Sequence, residues 1–120
     1  MIYDGFEIEA EDQARDERVL STSDLRRGVL RARKAQDRRF KKEDIFYNSQ
    51  MQQRHIKKYC VLSREGERLL NEAYRVMKLS IRGCCRILRV ARTIADIEGA
   101  ENIEERHLAE AITYKEQKRT

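Results

Sequence analysis

Proline and tryptophan are absent from this 120-residue chain, and only five glycines are present. Without proline, no helix is broken by one. With few glycines and abundant Arg, Glu, Leu and Ala, the composition points to an all-helical protein. Cysteine is also scarce: Cys60, Cys84 and Cys85 are the three present. An odd count argues against a disulfide framework. Cys84 and Cys85 are adjacent, so on a helix they point about 100° apart and a bridge between them would be strained. No Cys-x-x-Cys and no Cys/His pair at ligand spacing occurs, so no metal site is expected. The cysteines read as reduced thiols in a cytoplasmic protein. No signal peptide and no apolar run long enough to span a bilayer is found, so no membrane partner is expected.

Catalytic signatures are missing as well. The chain has no Gly-x-x-x-x-Gly-Lys-Ser/Thr phosphate loop and no Gly-x-Gly-x-x-Gly turn. No Ser–His–Asp or Cys–His set stands out, and the two histidines, His55 and His107, read as structural. No catalytic residue is assigned, and the chain is not expected to be an enzyme on its own.

What is present is charge. Charged residues make up 39% and hydrophobic residues 40%, with a net charge of +5. That balance suits one domain with a modest core. The positive excess permits contact with nucleic acid or nucleotide phosphates without requiring it.

The stretch Ser80–Gly99 organises the rest. Ser80 is an N-cap candidate, and Gly99 suits the left-handed position past a helix end. Between them, Cys84, Ile87, Leu88, Val90, Ala91, Ile94, Ala95 and Ile97 form one wide apolar face. Arg82, Arg86, Arg89 and Arg92 fall on the opposite side with Thr93 and Asp96. Two readings follow: a core helix with a solvated back, or a guanidinium row that meets a phosphate-rich partner.

Upstream, Met1–Glu11 alternates weakly, as a short strand would, and residues 4–17 are strongly acidic. A lone strand has no ladder partner elsewhere in the chain, so this segment is expected to be extended, and disordered on its own. Ser21, Ser23 and Asp24 offer caps for a first helix, striped by Leu25, Val29, Ala32, Gln36 and Phe40. Its other faces are basic. On these, Arg27, Arg31, Lys34 and Arg38 could neutralise backbone phosphates. Arg39 belongs to the same basic set. No aromatic residue is interleaved for base stacking.

A short helix over about Gln50–Tyr59 is expected next. A helix over Ser63–Lys78 follows, with Leu69, Leu70, Ala73, Tyr74, Val76 and Met77 inward. Asn102 and Glu105 resemble a capping box for a last helix striped by Leu108, Ala111 and Ile112. The sum is a small four- to five-helix bundle.

Five runs carry a family likeness. They are Ser80-Ile81-Arg82 followed by Arg86–Gly99, then His107–Tyr114, with Tyr47–Met51 and Ile56–Leu62 upstream. Over roughly residues 20–115 the chain resembles the C-terminal domain of magnesium-chelatase-like AAA+ ATPases of the ComM (YifB) type. The resemblance implies a helical lid over residues 21–120 that packs beside an ATPase core, with residues 1–20 as a remnant of that core. It places Arg82 at the lid's nucleotide-sensing position, with Arg86 and Arg89 in lesser roles. In such a parent, ATP and Mg2+ are the expected cofactors, though none is expected for this chain alone. The expected partners are the ATPase core, on the same or another chain, a homo-oligomeric ring and DNA. Two departures stand out. Gly5 occupies the place of a family arginine that acts on the neighbouring subunit's nucleotide, and Gly83-Cys84-Cys85 replaces the usual Ala-Tyr-His. Beside the lid reading stand a freestanding DNA-binding helical module, working through Arg27, Arg31, Lys34 and Arg38, and an interaction domain without a ligand.

Overall fold

In a computed structural model of the chain, the structure describes residues 22–119, and side chains through residue 114. The extended segment expected over residues 1–20, including Gly5, lies outside the described residues. The rest is an all-α bundle of five helices: α1 (Thr22–Arg39), α2 (Gln53–Tyr59), α3 (Arg64–Met77), α4 (Ile81–Glu98) and α5 (Glu105–Arg119). A 3-10 turn, Asn48–Gln50, precedes α2. The helix expected from Gln50 is therefore two elements. The Gln50 side chain explains the break, because its Oε1 accepts from the backbone N–H groups of Phe46 and Tyr47 and closes a turn there.

The central helix has the bounds its caps dictate. The Ser80 hydroxyl accepts from the Gly83 N–H at 3.0 Å, and Gly99 adopts φ 81° at the other end. Ser63 caps α3 in the same way, accepting from Gly66 at 3.1 Å, and Lys78 ends it in a left-handed conformation. The last helix departs from the Asn102–Glu105 capping box. His107 takes that part: its Nδ1 accepts from the Glu104 N–H at 2.9 Å.

α4 is the hub. α1 and α5 pack along it, the 3-10 turn and α2 close its remaining sides, and α3 rests on α5. Ile87, Ala91 and Ala95 of α4 are sealed against Leu108 and Ala111 of α5 and against Met51. Each large apolar side chain so buried contributes about 1.5–3 kcal/mol. Small residues let α1 lie close. Gly28 and Ala32 are buried, and a Cβ at Gly28 would fall 2.8 Å from a methyl of Ile97. Val29, expected in the buried stripe, is only half-buried beside Gly28. The Phe40 ring meets Tyr59 edge-on at 5.5 Å. Leu62 and Ile103 form a parallel bridge.

α3 corrects another expectation. Tyr74 and Val76, read as inward, are 49% and 62% exposed. The helix packs mainly on α5, so Gly66 and Ala73 are buried, Leu69, Leu70 and Met77 pack part-buried against the core, and Tyr74 and Val76 face out.

Candidate functional site

Arg82 stands in the first turn of α4, one residue after Ile81, which is itself 63% exposed. Arg82 and Arg86 are exposed, four residues apart on one face, and neither holds a hydrogen bond or ion pair among the described residues. The guanidinium row does not continue along the helix. Arg89 is half-buried and donates to the Met51 carbonyl at 3.2 Å. Arg92, expected on the solvated back, is buried.

Arg92 belongs to a polar knot that joins α1, the 3-10 turn and α4. Its centre is Asp96, which is buried rather than exposed. Arg39 donates to both Asp96 oxygens, at 2.7 and 2.8 Å, and Asn48 Nδ2 adds a third bond at 2.9 Å. Arg92 lies 3.1 Å from the same carboxylate and caps the end of α4 through the carbonyls of Ala100 and Glu101. Asn48 completes its inventory. Its Oδ1 accepts from Arg39, its Nδ2 also reaches Thr93 Oγ1, and its backbone N–H donates to Gln36. Two guanidiniums and one carboxylate leave the knot with a net positive charge. Burial pushes the Arg92 guanidinium down, against the pull of Asp96, and its Nε has no hydrogen-bond partner.

The residues expected to meet nucleic acid divide. Arg27 pairs with Asp24 one turn away. Arg31 bends over the end of α4 and donates from Nε and Nη2 to the Ile97 carbonyl at 3.2 and 2.9 Å. Together with Lys34 and Arg38 it lines a cleft of about 660 Å³ between α1 and the segment Gly99–Glu101. Arg39 and Asp96 also line it, and Tyr59 forms one wall. Lys34 and Arg38 are exposed and have no partner among the described residues.

Both histidines serve as helix caps. Like His107 at α5, His55 accepts at Nδ1 from a backbone N–H, that of Gln52, at 3.0 Å. The neutral ring therefore carries its proton on Nε2. That nitrogen is buried and faces acid: Glu43 and Asp44 at 3.7 and 3.8 Å for His55, and Glu98 at 3.4 Å for His107. The loop after α1 thus supplies carboxylates that sequence spacing did not place beside His55. Glu43, Asp44 and His55 are close enough together to suggest a metal centre. The hydrogen bonding opposes one, because a metal needs the Nε2 lone pair while the other ring nitrogen donates. Glu43 is also engaged otherwise. The Tyr59 hydroxyl and Lys58 hold its carboxyl below the usual carboxylate range.

Sequence reasoning missed Arg39, Asn48, Arg92 and Asp96 as a unit. The available signals were a lone Asn inside the apolar turn Ile45–Met51 and an Asp flanked by Ala95 and Ile97.

One protein-family pattern, described as "Magnesium chelatase, subunit ChlI C-terminal", matches residues 20–115. Among curated proteins, the uncharacterized protein YifB of Salmonella typhimurium is 42% identical over 95 residues, covering 79% of this chain and 18% of that protein. The competence protein ComM of Haemophilus influenzae and the uncharacterized protein YifB of Escherichia coli are each 36% identical over 95 residues, with the same coverage. The chain therefore spans less than a fifth of the length of these relatives. No solved structure gives a significant match. No described helix is long and apolar enough to cross a membrane.

Proposed function

This chain belongs to the family of magnesium chelatase subunit ChlI C-terminal domains, and from that membership we propose that it is the helical lid of a magnesium-chelatase-like ATPase of the ComM type. Arg82 senses the terminal phosphate of a nucleotide held by the ATPase core, on the same or another chain, within a homo-oligomeric ring. The observation that carries this reading is the state of Arg82: exposed, without a partner among the described residues, and seated in a capped first turn. A guanidinium presented this way pairs with phosphate oxygens and stabilises charge that develops there. Arg86 stands one turn behind and supports it. Arg89, half-buried and donating from Nη1 to the Met51 carbonyl, takes the lesser part.

The central packing of α4 gives the contact a consequence. A pull at Arg82 acts on the helix against which α1, α2 and α5 all pack. Loss of the phosphate then releases the whole lid relative to the core. ATP supplies the phosphate, and its Mg2+ belongs with the core, since this sequence contains no phosphate loop. The chain alone accordingly hydrolyses no ATP. The test is a chimera in which this chain replaces the matching segment of a family ATPase. The Arg82→Ala chimera is expected to turn over ATP about 100-fold more slowly, the scale of losing one oxyanion donor. Unchanged turnover refutes the reading.

A second reading, a basic module that binds DNA, is favoured by one observation. Arg31, Lys34 and Arg38 converge on a single cleft.

A further inference from the structure

We propose that the cleft between α1 and the C-terminal end of α4 is a phosphate-binding site, separate from the surface that carries Arg82. The inference does not depend on the sensing role of Arg82. It narrows the second reading to a defined place and chemistry.

Arg31, Lys34 and Arg38 rise along one stripe of α1 and span about 10 Å of helix. Arg39 also lines the cleft, but its charge is matched by Asp96. Of the two carboxylates that line the cleft, Asp96 is already consumed by Arg39 and Arg92, which leaves Glu101 at the rim. Cations are thus in clear excess, and the cleft's charged donors outnumber its free acceptors.

Preorganisation comes next. Arg39 is locked by two bonds to Asp96, and Arg31 is held in place by the Ile97 carbonyl through Nε and Nη2. The Arg31 Nη1 takes no part in those bonds. Fixed guanidiniums lose little freedom when an anion arrives, which lowers the cost of binding. Lys34 and Arg38, exposed and without partners among the described residues, complete the cation set.

Shape and chemistry set the ligand class. This open-sided cleft of about 660 Å³ has room for a few phosphate groups. Guanidinium forks match phosphate oxygens two at a time. The phosphates could belong to a free polyphosphate or to a nucleic-acid strand, and the experiment separates these sources.

The full 120-residue chain is titrated calorimetrically at low salt with three probes: inorganic tripolyphosphate, a ten-nucleotide oligothymidylate and a decamer of glutamate. Lys34→Glu and Arg38→Glu lie on the exposed side of α1, and thermal melts check that both variants keep the fold. Tripolyphosphate or oligothymidylate binds at least 10-fold more weakly to each of these variants, and Arg68→Glu, an exposed change on α3 that does not line the cleft, alters affinity less than twofold. With three phosphates neutralised, the log–log salt slope lies between about −2 and −3. The tighter of the two phosphate probes identifies the source, and either supports the site. The proposal is overturned if neither phosphate probe binds, if the α1 charge reversals leave affinity unchanged, or if the glutamate decamer binds as tightly. Failure here leaves the Arg82 reading intact, because that reading is tested by ATP turnover.

Discussion

Replacing Asp96 with alanine should be the most damaging single change to this fold. The Asp96, Arg92 and Arg39 side chains retain 1%, 5% and 12% of their exposure. The substitution leaves two largely buried guanidiniums without their counter-ion and removes an acceptor from Asn48. Breaking a buried ion pair by deleting one partner costs about 3–5 kcal/mol, mostly from the charge left behind. For a domain of roughly 100 residues each kcal/mol shifts Tm by about 4–8 °C, so a fall of at least about 12 °C is expected. Urea melts followed by far-UV circular dichroism supply the free energy, with the m-value checking that the unfolded state is unchanged. If stranded charge causes the loss, adding Arg92→Met to Asp96→Ala restores part of the stability, and the coupling appears in a double-mutant cycle. A loss below about 1 kcal/mol, the scale of an exposed ion pair, would refute the claim that this knot joins α1 to α4.

Two further outcomes follow from the remaining groups. Glu43 is held below 4.5 by the Tyr59 hydroxyl and Lys58. Burial pushes Glu98 up, but contacts from Arg106 and His107 outweigh it and also leave it below 4.5. A carboxyl depressed in the folded state stabilises it fully above its unfolded pKa, and that stability is lost as pH falls through the folded value. Tm should therefore drop on acidification below about pH 4.5, and Glu43→Gln should lower Tm at neutral pH while flattening that drop. An equal deficit for Glu43→Gln at every pH would contradict it. Cys60 is 5% exposed, and burial pushes its thiol up to about 12, against the nearby charges of Arg92 and Arg39. Because the thiolate is the reactive form, iodoacetamide at about pH 8 should leave Cys60 unlabelled in the folded chain and label it in urea. Rapid native labelling, mapped by peptide mass, would show that the core around Leu88 and Ile56 opens.

What the sequence revealed and what it hid have different physical origins. Helix ends are local, so Ser80, Ser63 and Gly99 could be read directly from capping chemistry. The apolar periodicity of α4 likewise identified Ile87, Ala91, Ile94 and Ala95 as core. The polar knot is not local. Arg39 and Asp96 are 57 residues apart, and on a helical wheel each looks like an ordinary solvent-facing charge. The same blindness hid the cleft: the stripe of Arg31, Lys34 and Arg38 was legible, but not the approach of Gly99–Glu101 that makes it concave. Tyr74 and Val76 misled for the opposite reason. Their apolar stripe is wider than the single surface α3 packs against. The histidines were legible as structural, yet their capping role depends on backbone geometry at Gln52 and Glu104.

The proposed phosphate-sensing role of Arg82 is tested most directly by single-turnover ATP hydrolysis in the chimeric ATPase, comparing Arg82→Ala with Arg86→Ala. The account predicts a fall of about 100-fold for the first, a much smaller one for the second, and unchanged melting of the lid in both. Equal effects of the two substitutions, or none from either, would contradict it.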